Sequence, residues 1–227
     1  MNMARILERL GCEVTYNSAQ TCCGQPAFNA GYWEDCKPVA RKFIRDFADD
    51  APIVSPSGSC TGYVRNYFEK LFTNTDTDYA GSKAVSARAY EFSEFVTEVL
   101  KVDTIPARFE GRAVYHDACG ALRECGIKAA PRKLLAGVEG LELVEMKEAE
   151  TCCGFGGTFA VKYEPISIGM AQTKTQSALD AGARYIISTD VSCLMHIQGY
   201  IDKQGLPLQT LHIADVLAAG LEVPIAA

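Results

Sequence analysis

The sequence predicts an α/β fold, and three observations support this. A Thr-Cys-Cys-Gly tetrapeptide occurs twice, at Thr21–Gly24 and at Thr151–Gly154. Each copy is followed by an apolar run that leads to a Ser-Cys pair, ending at Cys60 and at Cys193. Short apolar runs also alternate with longer helical patterns, which is typical of a parallel sheet covered by helices. We therefore expect two tandem copies of a Rossmann-like parallel-sheet unit, the first lacking its opening strand.

The internal repeat extends beyond the cysteines. The two Cys-Cys-Gly triplets, the two Ser-Cys pairs and the apolar residues around them recur at a separation of about 130 residues. A separation that drifts slightly is expected when loops differ between equivalent elements. We assign residues 1–105 to the first cysteine-rich repeat and 106–227 to the second, with the junction at 101–111. Residues 73–90 read as a surface loop.

The second half offers the clearest element order. In sequence, the predicted elements are a strand Ala113–Tyr115, a helix beginning near Pro131, a strand Leu141–Met146, a helix from about Pro165 to Ala181, a strand Tyr185–Ser188, a helix ending near Asp202, a strand Leu208–Leu211 and a helix His212–Ala219. In the first half, the counterparts of the Ala113–Tyr115 strand and of Cys119 would precede Met1. The first repeat is therefore expected to have an incomplete cysteine set and an open sheet edge.

Composition narrows the function classes. The 227 residues carry a net charge of −6 and no concentrated basic patch, so nucleic acid is not an expected partner. No apolar run approaches the length of a membrane span, and the start does not resemble a secretory signal. A cytoplasmic location is therefore expected. In that compartment ten cysteines favour metal binding or catalysis over a disulfide framework.

Adjacent cysteines suit a metal better than a disulfide, because their Cα atoms are about 3.8 Å apart and a relaxed disulfide needs more. The second half provides the four cysteines of a complete set, namely Cys119, Cys152, Cys153 and Cys193. Four thiolates can hold a [4Fe–4S] cluster or a tetrahedral zinc ion. The first half provides a partial set, Cys22, Cys23 and Cys60. The absence of a C-x₂₋₄-C knuckle favours the cluster, with zinc as the alternative.

The motifs around these cysteines resemble the cysteine-rich CCG domain family. The resemblance is carried by Thr21–Ala27, Tyr115–Cys119 and Thr151–Gly157 and covers nearly the whole chain. The family includes the cysteine-rich subunit of heterodisulfide reductase, the iron–sulfur subunit of glycolate oxidase and iron–sulfur proteins of lactate utilisation, which these motifs resemble most. The resemblance implies an iron–sulfur protein that works beside partner subunits in oxidising L-lactate to pyruvate. It also makes this chain look truncated at its amino terminus.

The heterodisulfide reductase pattern ends in Cys-x-x-Cys, and this chain lacks the second cysteine of that motif in both halves. Tyr63 and His196 stand where the second cysteine would be, which puts a fused cluster of the heterodisulfide reductase kind in doubt. His196 is a candidate ligand, although a hydrogen-bonded histidine in the first turn of a helix is the more ordinary reading. His116 and Asp117 are candidate donors to cluster sulfurs, with loop capping as the alternative.

The remaining cysteines, Cys12, Cys36 and Cys125, are interpreted as non-ligating. No nicotinamide or flavin site is evident, so the chain is expected to be an electron-transfer subunit of an L-lactate dehydrogenase complex rather than a complete enzyme. Two alternatives remain open. One is a thiol–disulfide redox subunit of the heterodisulfide reductase type, and the other is a zinc-binding scaffold protein.

Overall fold

The computed structural model describes residues 1–220, so residues 221–227 of the second predicted repeat lie outside the described part. The first half contains, in order, α1 (Asn2–Arg9), α2 (Gln25–Asn29), α3 (Trp33–Asp46), β1 (Ile53–Ser55), α4 (Gly58–Leu71), α5 (Tyr79–Ala87), β2 (Ala89–Glu91) and α6 (Phe92–Glu94), which continues as a π-helical turn Phe95–Val99. The second half contains β3 (Ala107–Tyr115), a π-helical turn Gly120–Glu124, α7 (Ala129–Ala136), β4 (Val138–Val144), α8 (Phe159–Lys162), α9 (Glu164–Asp180), β5 (Tyr185–Ser188), α10 (Val191–Gln204), β6 (Gln209–His212) and α11 (Ile213–Ala218).

Two parallel sheets confirm the predicted α/β class. The second half forms a four-stranded sheet in the order β4-β3-β5-β6, and the first half forms the pair β1-β2. In the repeat, β1 corresponds to β5 and β2 to β6. Within residues 1–105 no strand corresponds to β3 or β4. Among the described residues, no helix is both long and apolar enough to cross a membrane.

Two sequence expectations are wrong. Residues 73–90 are not a loop, because they contain α5 and the start of β2. Small residues on α5, Ser82 and Ser86, are buried with their hydroxyls bonded to carbonyl oxygens, so a polar composition conceals a packed helix. The junction is also shorter than 101–111, since β3 already begins at Ala107. In the first half of β3, exposed polar residues alternate with less exposed ones, so the sequence there does not read as an apolar strand.

One hydrophobic cluster contains residues of both halves, and helices of one half pack against helices of the other. Helix α1 of the first half packs against α11 of the second, and α7 of the second packs against α6 of the first. The same cluster includes Ile6 and Leu7 of α1 together with Val216 and Leu217 of α11. The repeats are therefore interlocked in a pseudo-symmetric arrangement, and burial is shared across the boundary.

Two helix-capping residues also make contacts between the halves. Glu91 caps α6 and accepts a hydrogen bond from the Thr189 hydroxyl in the other half. In the equivalent position, His212 caps α11, and its Nε2 lies 3.0 Å from the Pro56 carbonyl oxygen of the first half. Burial raises the pKa of the Glu91 carboxyl. Each cap thus fixes its own helix and contacts the residue that follows the equivalent strand, β5 or β1, of the other repeat.

The halves approach each other tightly between α4 and the π-helical turn after Cys119. A Cβ added at Gly58 would lie 2.7 Å from the Ala121 Cα, and one added at Gly120 would lie 2.5 Å from the Ser59 Cα. Both contacts are with backbone, so a side chain could fit only if the halves moved apart. The Asp190 carboxylate reinforces this junction by accepting from the Ser59 amide at 3.0 Å and the Ser57 hydroxyl at 3.1 Å.

Replacing Gly58 with alanine should therefore destabilise the protein by about 1–3 kcal/mol through overpacking. Gly199 provides the matched control, because it lies within a helix with nothing near its would-be Cβ. Gly199→Ala should be neutral or stabilising by up to about 1 kcal/mol through helix propensity. The measurement is the urea midpoint of each variant. Equal midpoints for the two variants would contradict the proposed backbone contact.

Candidate metal centre

The cysteines of the second half collect at the carboxyl ends of three adjacent strands. Cys119 follows β3, the pair Cys152-Cys153 lies in the loop after β4, and Cys193 is in the first turn of α10 after β5. Parallel strands deliver their following loops to one edge of the sheet, which is where ligand sites in such sheets usually form. The topology therefore brings together residues that are widely separated in sequence.

The four sulfur atoms form one connected group. The Cys119 and Cys153 thiols both lie beside the Cys152 sulfur, and Cys153 also lies beside Cys193, although none of these pairs meets hydrogen-bond geometry. These neighbouring thiols lower the pKa of Cys152, whereas the same contacts together with burial raise the pKa of Cys119 and of Cys153. Cys153 and Cys193 are almost completely buried. Neighbouring thiolates repel one another strongly in such a setting, so a bound cation would favour their ionisation.

Two buried nitrogen-bearing side chains border this sulfur group. One ring nitrogen of His116 and the sulfurs of Cys153 and Cys193 all lie within 4.8 Å of one another. Burial lowers the pKa of His116 to about 3, with the nearby Lys174 ammonium acting in the same direction, so the ring is neutral. Lys174 is 1% exposed, and its Nζ donates to the carbonyl oxygens of Glu148 and Ala149. Burial lowers its pKa to about 8, so it is still mostly protonated at neutral pH.

The sequence analysis missed Lys174. The helical spacing of α9 could have indicated that Lys174 is buried. It lies on the same face as the buried residues Ser167, Ala171 and Ala178. A lysine on an inward face needs partners for its charge. At the equivalent position in the first half the chain has Phe43, a core aromatic, so this ammonium belongs to the second half alone.

The first half brings its three cysteines to the equivalent edge. The sulfurs of Cys23 and Cys60 are 3.4 Å apart, and the Gly24 amide donates to the Cys22 sulfur at 3.4 Å. The hydrogen bond from Cys23 lowers the pKa of Cys60 to about 7, and the same bond together with burial raises the pKa of Cys23. Cys22 is exposed. Cys60 occupies the third position of α4, as Cys193 does in α10.

The glycine after each cysteine pair has the same conformation, with φ +96° at Gly24 and at Gly154. In the second half, the Ser167 hydroxyl donates to the Gly154 carbonyl at 2.8 Å and lies 3.1 Å from the His196 Nε2. In the first half, Cys36 takes the place of Ser167, with its sulfur 3.7 Å from the Gly24 carbonyl oxygen.

Tyr63 is the counterpart of His196. Its hydroxyl lies beside Cys36, although no group in residues 1–220 meets hydrogen-bond geometry with it. A Cβ added at Gly24 would be 3.7 Å from the Tyr63 hydroxyl, and one at Gly154 would be 3.3 Å from the His196 Nε2. Each ring therefore supports the back of its Cys-Cys-Gly turn.

The structure also shows the surroundings of the other candidate residues from the sequence analysis. The ring of His196 is engaged with Ser167, and its role as a ligand stays a prediction. Asp117 binds the Arg132 guanidinium through both carboxylate oxygens. The structure also locates the three cysteines interpreted as non-ligating, which stays a prediction: Cys12 packs against the shared core, Cys36 is fully buried behind Gly24, and Cys125 faces the Gly58 carbonyl.

The two cysteine groups lie on adjoining parts of the molecule. Cys60 and Cys119 each neighbour a residue of the tight Ser59–Gly120 contact. The loops after the two cysteine pairs also meet, since a Cβ at Gly157 would lie 3.3 Å from the Pro26 Cβ. The pseudo-symmetric packing thus orients both groups toward a common junction.

The residues present fit a metal or an iron–sulfur cluster. The second half offers four thiols, apolar surroundings and a buried ammonium that offsets negative charge. His116 adds a buried imidazole whose ring nitrogens have no hydrogen-bond partner in residues 1–220. A soft, sulfur-rich donor set of this kind selects zinc or iron–sulfur clusters over hard cations.

Comparison with known proteins agrees with a cysteine-rich site of this kind. The model of the cysteine-rich domain family named CCG matches residues 1–65 and 113–198, that is, the cysteine loops of both halves. The chain belongs to the CCG family. The family assignment made from the repeated triplets is thereby confirmed.

Relatives named Lactate utilization protein A match over nearly the whole chain. The protein from Exiguobacterium sp. is 45% identical over 219 residues, which cover 96% of this chain and 89% of the relative. The one from Geobacillus kaustophilus is 45% identical over 214 residues, covering 94% and 89%. The one from Lysinibacillus sphaericus is 42% identical over 216 residues, covering 95% and 94%. Within the CCG family, this chain therefore groups with the Lactate utilization A proteins.

Removing the Ser167 hydroxyl tests the support behind the second cysteine turn. Ser167→Ala should destabilise the protein by about 1–3 kcal/mol, because a buried carbonyl and the His196 ring both lose a partner. Thr173→Ala is the matched control on the same helix, where an exposed hydroxyl also donates to a backbone carbonyl. That control should change stability by less than about 0.5 kcal/mol. Similar urea midpoints for both variants would show that the Ser167 contact is not structural.

Proposed function

We propose that this protein is the iron–sulfur electron-transfer component of a multi-protein system that oxidises L-lactate to pyruvate. The observation that carries the proposal is the connected group of four cysteine sulfurs at the carboxyl edge of the second sheet. Membership of the CCG family and relatives named Lactate utilization protein A support the reaction class. The centre proposed is a [4Fe–4S] cluster.

The proposed ligands are Cys119, Cys152, Cys153 and Cys193. Their strands and helix fix the backbone of three separate loops, so the thiols are positioned before the cluster binds. Cys22, Cys23 and Cys60 are proposed to form a second, three-thiol site in the first repeat, with the repeat boundary near residue 105. Lys174 adds a positive charge beside the second-half sulfurs and lowers the electrostatic cost of the thiolates.

The relay role follows from electron counting. Lactate oxidation releases two electrons, whereas an iron–sulfur cluster ordinarily carries one at a time. The chemical step therefore suits a partner subunit that accepts an electron pair, with this chain passing the electrons onward. We propose a cytoplasmic assembly of this kind, and the partner subunits are those of the lactate-utilisation system.

Partner dependence tests the relay. The anaerobically purified chain, alone, should be reduced by dithionite yet should not reduce a dye with L-lactate as donor. Addition of the other proteins of the lactate-utilisation system should restore lactate-dependent dye reduction. Steady turnover by the isolated chain would contradict the relay role, because it would make this chain a complete dehydrogenase.

Serine substitutions test the ligand set. Cys119→Ser, Cys152→Ser, Cys153→Ser and Cys193→Ser should each lose most of the iron bound by the second half, since an iron left without its thiolate is easily lost or oxidised. Cys125→Ser is the matched control, because Cys125 is a half-buried thiol in the same half but away from the sulfur group. Its iron content should stay near that of the unsubstituted protein. Comparable loss from Cys125→Ser and Cys119→Ser would refute the assignment.

A further inference from the structure

His116 is a buried polar side chain with no evident structural role. Its exposure is 0%, and neither ring nitrogen has a hydrogen-bond partner among residues 1–220. Buried polar groups in folded proteins nearly always have partners, so an exception at a candidate site calls for a ligand that completes it. Tyr63 and Tyr115 have the only other such side-chain atoms in the described residues, and each is a single hydroxyl.

The position of His116 is fixed by its backbone. Its amide donates to the Ile187 carbonyl at 2.8 Å, and its carbonyl accepts from the Ser188 hydroxyl at 2.9 Å. These bonds hold the residue between the ends of β3 and β5, immediately before the loop that carries Cys119. The sheet therefore fixes the backbone from which the imidazole extends, and the ring is fully buried beside the sulfur group.

The groups around the ring leave the sulfurs as its natural acceptors. The Ala149 carbonyl is near, but it lies outside hydrogen-bond geometry with the ring. That oxygen already accepts from the Asp117 amide at 3.1 Å and from the Lys174 ammonium at 3.2 Å. Lys174 can only donate. The Asp190 carboxylate also faces the ring, but its oxygens already accept from Ser57, Ser59 and Ser192. The acceptors left beside the ring are cysteine sulfurs, those of Cys153 and Cys193 within 4.8 Å and that of Cys152 nearby.

We propose that His116 is a positioning residue that donates a ring N–H hydrogen bond to sulfur at the second-half centre and so raises its reduction potential. The inference rests on the proposed cluster. A hydrogen bond to a cluster sulfur disperses negative charge and favours the reduced state. The four thiols already supply a full ligand set, so the imidazole is assigned to hydrogen bonding rather than to iron coordination.

The first test uses the unsubstituted protein, grown with ¹⁵N-histidine and reduced. Electron–nuclear double resonance should detect a weak ¹⁵N coupling together with an exchangeable proton. The signal should vanish in His116→Gln and persist in His212→Asn, a control distant from the sulfurs whose side chain can still cap α11. A strong coupling typical of a coordinated nitrogen would overturn the proposal in favour of ligation. No coupling at all would also overturn it.

The second test compares reduction potentials. His116→Leu removes the donor at similar volume, whereas His116→Gln keeps an N–H group. With iron and acid-labile sulfide unchanged, the midpoint of His116→Leu should shift to a more negative potential, and that of His116→Gln should shift less. An unchanged midpoint in His116→Leu would overturn the proposal. If His116→Leu does not fold or retain iron, the isotope experiment still decides, because it compares the unsubstituted protein with His116→Gln.

The outcomes also separate the two proposals. If the unsubstituted protein holds no iron and sulfide after anaerobic purification, the proposed function fails and the role of His116 fails with it. If the cluster is present but lacks the histidine signal, only the inference about His116 fails.

Discussion

Electrostatics imposes the constraint on which the candidate centre depends. Cys119, Cys152, Cys153 and Cys193 form a chain of neighbouring sulfurs, of which Cys153 and Cys193 are buried and the other two are partly buried. In a low-dielectric environment, like charges this close cannot all be formed unless a cation neutralises them. The thiol pKa shifts reflect this repulsion. The pKa of Cys152 is lowered, which favours its thiolate, whereas those of Cys119 and Cys153 are raised, which favours their protonated form. A cationic inorganic centre resolves it.

The fold meets this constraint by using one turn twice. The backbone of Gly24 and of Gly154 has the same positive φ, which a residue with a side chain adopts only under strain. Different side chains support the two turns from behind, a thiol with a phenol in one half and a hydroxyl with an imidazole in the other. The two copies thus share a geometry while their surroundings differ. Lys174 occurs beside the second group only, because the first half has Phe43 at that position.

Sequence patterns predicted the parts of the structure that follow from periodicity and repetition. The repeated triplets indicated that residues far apart in the chain are structurally equivalent, and the apolar runs placed β5, α9 and α10 closely. Parallel-strand topology then predicted that Cys119, Cys152 and Cys193 would meet at one edge. These conclusions need only local patterns and a general rule about where loops of parallel sheets lie.

Other features depend on packing that one sequence does not display. Helix α5 was taken for a loop because its buried positions are filled by small polar residues whose hydroxyls bond to backbone. The contacts of Glu91 with Thr189 and of His212 with Pro56 arise from the docking of the two repeats, which no local pattern encodes. Lys174 was overlooked because a lysine is normally assigned to the surface, and only its helical spacing from Ser167 and Ala171 indicates otherwise.

The central claim is that the four cysteines of the second half hold an iron–sulfur cluster. The most direct measurement is Mössbauer spectroscopy, with chemical assay of sulfide and zinc, on a ⁵⁷Fe-labelled triple variant Cys22→Ser, Cys23→Ser, Cys60→Ser prepared anaerobically. This variant isolates the second-half site. The account predicts a cluster spectrum with inorganic sulfide equivalent to the iron. A colourless protein that contains zinc and no sulfide would contradict it.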